Sequence, residues 1–89
     1  MVRRRLVVHG EVQGVFFRDG CRDEAERAGV SGWVRNTPSG TVEAVFEGTQ
    51  AAVEHLVTWC RHGPDRARVD CVDVIEDEEP SGESGFTVR

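Results

Sequence analysis

Alternating apolar and polar residues predict five strands in this chain. In residues 3–10, Leu6 and Val8 share one face, while Arg5 and Val7 share the other, which is the period-2 pattern of a strand. The same reasoning predicts further strands over 30–36, 41–48, 69–75 and 86–88. Residues 37–40 (Thr-Pro-Ser-Gly) have turn chemistry, so the second and third strands form a hairpin. Residues 76–85 are predicted to be a polar, acidic loop.

Helical periodicity appears twice between these strands. A first helix is predicted from Arg18 or Asp19, with Asp19 as a possible N-cap and Gly29 as its C-terminal stop. Its buried stripe is narrow, because it is built on residues at i, i+4 and i+7: Cys21, Ala25 and Ala28.

A second helix is predicted after Thr49, which is a favourable N-cap residue. Its apolar residues repeat at helical spacing and are Val53, Leu56, Val57 and Cys60. Residues 62–64 (His-Gly-Pro) terminate it.

The predicted order is β-α-β-β-α-β followed by a short terminal strand. This order indicates an α+β fold, a ferredoxin-like sandwich in which two helices cover one face of an antiparallel sheet. Residues 1–89 are predicted to form one domain, since no linker or repeat divides them. Proteins of this architecture include both enzymes and binding modules, so the fold alone does not decide the function.

Composition and charge narrow the possible functions. The chain of 89 residues has a net charge of −5, and all eleven basic residues are arginines. Such a surface repels nucleic acid over most of its area, so phosphate binding needs a local positive focus. Apolar runs such as 6–8 are too short for a signal peptide or a membrane span, so a cytoplasmic protein that binds no membrane is expected.

The three cysteines give no sign of a disulfide framework or a zinc site. Cys21, Cys60 and Cys71 are odd in number and widely spaced, which is typical of buried or half-buried thiols in a reducing compartment.

The loop between the first strand and the first helix carries the strongest chemical signal. In Gly10-Glu11-Val12-Gln13-Gly14-Val15-Phe16-Phe17-Arg18, Gly14 lets successive backbone N–H groups point inward as a nest for an anion. The following helix adds its positive N-terminal dipole, and Arg18 can hold phosphate oxygens with two parallel hydrogen bonds. The loop is not a Walker loop, because no Lys-Ser/Thr follows its glycine.

Five residues between a nucleophilic cysteine and an arginine would be the layout of a tyrosine phosphatase. Here the position of that cysteine is Val12, which cannot attack phosphorus, and Cys21 lies beyond Arg18. Water must therefore be the nucleophile if this loop performs phosphate chemistry. Asn36, at the end of the second strand, offers an amide that can orient such a water.

Two segments of the chain, the loop just described and the hairpin that contains Asn36, together resemble the acylphosphatase family. Residues 8–18 are similar to its first signature, Gly-x-Val-Gln-Gly-Val-x-Phe-Arg, and residues 32–48 are similar to its second, which contains Asn36. The resemblance implies hydrolysis of acyl phosphates to carboxylate and inorganic phosphate, with no metal and no cofactor. It also implies a division of roles, in which Arg18 and Asn36 are catalytic and the backbone of the cradle binds substrate, its residues being Gln13, Gly14, Val15, Phe16 and Phe17.

The sequence also bears on other interpretations of the fold and of single residues. A non-catalytic phosphate- or partner-binding module of the same fold remains the alternative, although a chain with both Arg18 and Asn36 favours an enzyme. An RNA-binding module is disfavoured by the acidic outer residues of the third strand. His9 is interpreted as a strand residue, Trp33 as a packing residue beside the site, and Trp59 as partly buried core. A monomer is the simplest expectation, and the bound phosphate is the proposed proton acceptor.

Overall fold

In the computed structural model the chain forms two helices and a five-stranded sheet. The structure describes residues 1–89, except for the side chains of residues 76–78. The elements occur in the order β1 (Val2–Glu11), α1 (Phe17–Ala28), β2 (Ser31–Asn36), β3 (Val42–Gly48), α2 (Gln50–His62), β4 (Arg68–Glu78) and β5 (Phe86–Val88).

The strand order in the sheet is β4-β1-β3-β2-β5. The first four strands pair antiparallel, which confirms the ferredoxin-like prediction. The expectation of an antiparallel sheet was wrong for β5, which pairs parallel with β2 over Gly32–Val34. Its direction follows from topology: β4 runs opposite to β1 and β2, and the β4–β5 loop then reverses the chain.

One face of the sheet and both helices enclose the core. Side chains from β1, β2 and β3 pack against α1 and α2, and the fully buried ones include Leu6, Val8, Val34, Val42, Ala44, Phe46, Cys21, Ala25, Val53, Leu56 and Cys60. Burying these side chains is the main favourable term for a chain of this size, at roughly 1.5–3 kcal/mol for each large aliphatic or aromatic group. Both helices therefore lie on one face, as predicted from their apolar stripes.

Three of the four predicted helix boundaries are confirmed. Gly29 ends α1 in the left-handed conformation, with φ of 72°, and its N–H bonds back to α1 carbonyls. Thr49 caps α2 by accepting a hydrogen bond from the Ala52 N–H at 3.2 Å, and Gly63 follows the last residue of that helix. The start of α1 is different, because Phe16 occupies the N-cap and Asp19 lies inside the first turn without capping it.

The predicted acidic loop begins later than expected. β4 continues to Glu78, and its backbone pairs with β1 as far as Arg3 opposite Glu78. Backbone pairing with a neighbouring strand does not depend on side-chain polarity, so the ladder extends into residues that composition predicts as loop. The side chains of the predicted acidic run at 76–78 lie outside the described residues.

Two further expectations concern the state of the cysteines and the absence of a membrane span. Cys21, Cys60 and Cys71 are all free; the first two are buried as predicted, whereas Cys71 is exposed on β4. Neither α1 nor α2 is long and apolar enough to cross a membrane, among the helices of the described chain.

Candidate active site

A cavity of about 240 Å³ opens between the β1–α1 loop and the end of β2. Its lining residues are Val12, Gly14, Phe16, Phe17, Arg18, Asp19 and Asn36. The structure thus brings Arg18 and Asn36 to one cavity, although they are 18 positions apart in the chain. The antiparallel pairing of β3 with both β1 and β2 is what sets the end of β2 beside the loop.

The β1–α1 loop has the backbone shape of an anion cradle. Gly14 and Phe16 are both left-handed, with φ of 74° and 64°, and they flank Val15. Alternation between left-handed and ordinary conformations turns successive N–H groups toward one concavity, which is the geometry of a backbone nest. The first N–H groups of α1 have no carbonyl partner within the helix, and they add the positive end of its dipole.

Arg18 lies in the first turn of α1, half-buried at the cavity. Its Nη1 donates a hydrogen bond to the backbone oxygen of Arg89 at 3.3 Å. Arg89 is itself held to β2, because its N–H donates to the Val34 oxygen at 2.8 Å. A guanidinium carries five N–H donors, so one such bond positions the group and leaves donors for a phosphoryl oxygen pair.

Asn36 is the last residue of β2, and its amide oxygen is a buried acceptor. No described residue donates a hydrogen bond to this Oδ1 atom. A buried polar atom without a partner costs about 1–3 kcal/mol, so such an atom in a cavity marks a place where a ligand donor belongs. A water O–H is a suitable donor, and accepting it would fix the direction in which the water oxygen points.

Gln13 and Val15 do not line the cavity, in contrast to the other residues predicted for the cradle. The Gln13 side chain donates from Nε2 to the backbone oxygens of Thr37 at 2.8 Å and Thr41 at 2.9 Å. These two bonds join the loop to the β2–β3 turn, immediately after Asn36. The Gln13 side chain therefore contacts the β2–β3 turn and not the cavity. The Val15 side chain is partly buried and packs against the core.

Phe17 contributes to the cavity wall from a buried position. Its ring is 1% exposed and packs edge-on against Trp59, with ring centroids 5.3 Å apart. The polar group that Phe17 can offer a ligand is therefore its backbone N–H. Trp59 is partly buried core, as predicted.

Trp33 and His9 lie away from the cavity. Trp33 is a buried packing residue, but it is three positions from Asn36 and so lies on the opposite face of β2, where the Arg89 guanidinium covers its ring at 4.5 Å. His9 is a strand residue as predicted, with Nε2 hydrogen-bonded to the Asp73 carboxylate at 2.9 Å.

Asp19 is the cavity residue that sequence reasoning missed as part of the site. It was predicted as a helix cap, and the helix starts three residues earlier than that role requires, at Phe17. The phase of α1 in the sequence could have shown that residues 18 and 19 share its first turn. Among the described residues, no group of three or more His, Cys, Asp or Glu side chains could hold a metal ion.

The fold and cavity define a class: a small α+β protein with a backbone anion cradle, an arginine and an unpaired amide oxygen. The family model for acylphosphatase matches residues 4–88. The chain is 60% identical over 87 residues to an acylphosphatase of Rubrobacter xylanophilus, covering 98% of this chain and 79% of that protein. It is 56% identical over 89 residues to an acylphosphatase of Anaeromyxobacter dehalogenans, covering 99% and 95%.

A solved structure agrees with these sequence relatives. The crystal structure of acylphosphatase from Bacillus subtilis superimposes with a TM-score of 0.96 at 32% identity, covering 100% of this chain and 99% of the other. The chain belongs to the acylphosphatase family.

Proposed function

We propose that this protein is an acylphosphatase that hydrolyses acyl phosphates to a carboxylate and inorganic phosphate by direct attack of water on phosphorus. The observation that carries the proposal is the meeting of Arg18 and the unpartnered Asn36 Oδ1 in one cavity beside the cradle. Family membership supports the reaction, and this geometry supports the roles.

Each part of the cavity has a separate task in this mechanism. The backbone N–H groups of the cradle residues that line the cavity (Gly14, Phe16, Phe17 and Arg18), together with the Arg18 guanidinium, hold the phosphoryl oxygens and stabilise the charge that spreads over them in the transition state. Asn36 accepts a hydrogen bond from the water and aims its oxygen at phosphorus. A new P–O bond forms to this water while the P–O bond to the acyl group breaks.

The leaving group explains why so little machinery is needed. A carboxylate leaves without protonation, so no general acid is required. The proton of the attacking water passes to a phosphoryl oxygen of the substrate. Positioning of reactants contributes up to roughly 7–11 kcal/mol in the best aligned cases, and Asn36 is assigned the part of it that depends on the direction of the water.

The central experiment is hydrolysis of benzoyl phosphate by the pure protein in EDTA. We expect turnover that Arg18→Ala largely abolishes. Asn36→Ala is expected to lower kcat by about 10²-fold, because the water loses its orientation, while inhibition by inorganic phosphate stays unchanged. Gln50→Ala removes an exposed amide of α2 and serves as the matched control. No turnover above background would contradict the enzyme proposal, and full kcat in Asn36→Ala would contradict its role.

We also infer the setting in which this domain acts. Residues 1–89 act as one monomeric domain in the cytoplasm, without nucleic-acid or membrane partners. The net charge of −5 and the three free cysteines support these expectations. Light scattering coupled to size exclusion measures the oligomeric state, and a dimer mass would contradict the monomer.

A further inference from the structure

Phe16 combines two unusual properties at the mouth of the cavity. Its side chain is 66% exposed, and the other exposed large apolar residues are Met1 and Ile75. Of these three, Phe16 is the one that lines the cavity. Packing in the core therefore does not account for this aromatic ring.

The second unusual property of Phe16 is its backbone conformation. With φ of 64° and ψ of 23°, it is the one non-glycine residue with positive φ in the part of the chain that the structure describes. Side chains with a Cβ rarely occupy this region, and glycine would occupy it without strain. Strained backbone of this kind is found preferentially at functional sites, and an exposed ring regains no burial in compensation.

Phe16 lies where the acyl group of a bound acyl phosphate would pass. Phe16 is the N-cap of α1, and its carbonyl accepts a hydrogen bond from the Gly20 N–H at 3.0 Å. Its own N–H belongs to the cradle that faces the phosphoryl group. The acyl group is joined to that phosphoryl group by one oxygen, so it extends from the cradle past the residues of the mouth.

We propose that the Phe16 ring contacts the acyl group and gives the enzyme a preference for acyl phosphates with an aromatic or other flat apolar acyl group. This inference rests on the proposed function. A ring that is exposed in the free protein loses contact with water when such an acyl group covers it, and aromatic pairs gain beyond the area that they bury. A small acyl group such as acetyl cannot cover the ring.

The test compares two substrates and three variants. Asn tolerates the left-handed conformation, so Phe16→Asn removes the ring while leaving the backbone geometry of the cradle. Phe16→Tyr keeps the ring, and Ile75→Asn removes an exposed apolar side chain on β4. For each protein, kcat/KM is measured with benzoyl phosphate and with acetyl phosphate, together with inhibition by inorganic phosphate.

The expected result is a change in preference and not in phosphate binding. Phe16→Asn should lower the benzoyl-to-acetyl ratio of kcat/KM about 5-fold, with phosphate inhibition unchanged. Phe16→Tyr and Ile75→Asn should keep the wild-type ratio. An unchanged ratio in Phe16→Asn would overturn the inference, as would an equal loss with both substrates and with phosphate, which would mean that the residue only supports the loop.

A second measurement needs no variant. Benzoylphosphonate and acetylphosphonate replace the bridging oxygen by a P–C bond and cannot be hydrolysed in the same way. The wild-type protein should bind the benzoyl compound about 5-fold more tightly. Equal affinities would overturn the inference while leaving the proposed function intact, whereas failure to hydrolyse either acyl phosphate would overturn the proposed function itself.

Discussion

Glu47 is a carboxylate buried on the face of the sheet away from the helices. It is 1% exposed, and it accepts hydrogen bonds from the backbone N–H groups of Ser81 at 2.7 Å and Glu83 at 2.9 Å. Arg3 approaches the same carboxylate at 3.5 Å and donates to the Ser81 hydroxyl at 2.8 Å. One side chain thereby fastens the β4–β5 loop to β3.

These donors decide the protonation of Glu47. Burial acts to raise its pKa, but the backbone N–H donors of the loop and the Arg3 charge outweigh burial, so the pKa of Glu47 lies below its ordinary value. Because the folded pKa is lower than the unfolded one, near 4.3, the ionised group stabilises the fold above about pH 4.3. This stabilisation is lost as the pH falls through the folded pKa.

We therefore expect Glu47→Gln to lower the free energy of unfolding by about 2 kcal/mol at pH 7, since donors lose a charged acceptor. The difference from wild type should stay constant from pH 7 to about 5 and shrink as the pH falls below about 4.3. Urea unfolding at several pH values measures both effects, with Glu54→Gln on exposed α2 as the control. A deficit that stays constant with pH would contradict the assigned role.

Asp19 provides the test of the proton acceptor, because it is a carboxylate in the lining of the cavity. If the substrate phosphate accepts the proton, Asp19→Asn should leave kcat within about 2-fold, whereas loss of a general base costs about 10²-fold or more. Removing a negative charge beside an anion site should also lower KM slightly, most visibly at low salt. A large fall in kcat would make Asp19 the base.

At the residue scale, sequence reasoning was strongest where two signature segments could be read together. Arg18 and Asn36 could be expected at one site because both signatures and the order of the strands place them there, whereas a lone arginine or asparagine has many ordinary structural uses. The side-chain direction of Gln13 could not be predicted, since it depends on two carbonyls across the hairpin. The N-cap role of Phe16 was missed, because aromatic residues do not favour left-handed backbone.

Between the elements, α1 and α2 meet directly below the cradle. Gly63, which follows α2, has φ of 68° and ψ of −171°, a region that is essentially restricted to glycine. A Cβ at this position would lie 2.8 Å from the Phe17 ring. Gly20 on α1 is similarly close to the Trp59 ring, at 3.1 Å from its Cβ position. The two glycines thus let the helices approach behind the β1–α1 loop, which is the proposed phosphate cradle.

Gly63→Ala should consequently destabilise the protein by about 3 kcal/mol and raise KM, because Phe17 must move. Gly29→Ala is the matched control: Gly29 also follows a helix, with φ of 72°, but its Cβ position has nothing within 4 Å. Its expected loss is about 1 kcal/mol, with KM unchanged. Urea unfolding and steady-state kinetics measure the pair, and equal losses would contradict the packing argument.

The elements themselves were largely predictable, and the two errors in the sheet have one cause. Periodicity and caps located both helices and the strands to within a few residues. The extension of β4 to Glu78 and the parallel pairing of β5 depend on which backbone edge is available in the folded sheet. The available edge is determined by pairing between residues far apart in the chain, so the local composition of β4 or β5 does not predict it.

For the whole molecule, stability and ligand binding are linked. A chain of 89 residues buries a limited core, so its unfolding free energy is small and a bound ligand adds a visible share. The proposed cradle binds the reaction product, inorganic phosphate, in the folded state only. Thermal unfolding therefore reports on Arg18 without any substrate.

At a phosphate concentration about 100 times its Kd, binding adds about 2.7 kcal/mol. This gain should raise Tm by roughly 10–20 °C for a domain of this size. Arg18→Ala should lose most of the rise, whereas Arg27→Ala, an exposed arginine of the same helix, should keep it. General salt effects act on both variants alike, so the difference isolates the site. Equal shifts in both would contradict phosphate binding by Arg18.

The long strand β4 has a consequence for how copies of the molecule meet. It forms one edge of the sheet with eleven residues, and an unpaired edge of that length is a template for association with another chain. The exposed side chains of Arg68, Asp70 and Asp73 lie along it, so a second strand that paired there would have to bring its own backbone against charged groups. Charged side chains on an edge strand disfavour such pairing, and this edge is therefore protected from growing into a larger sheet.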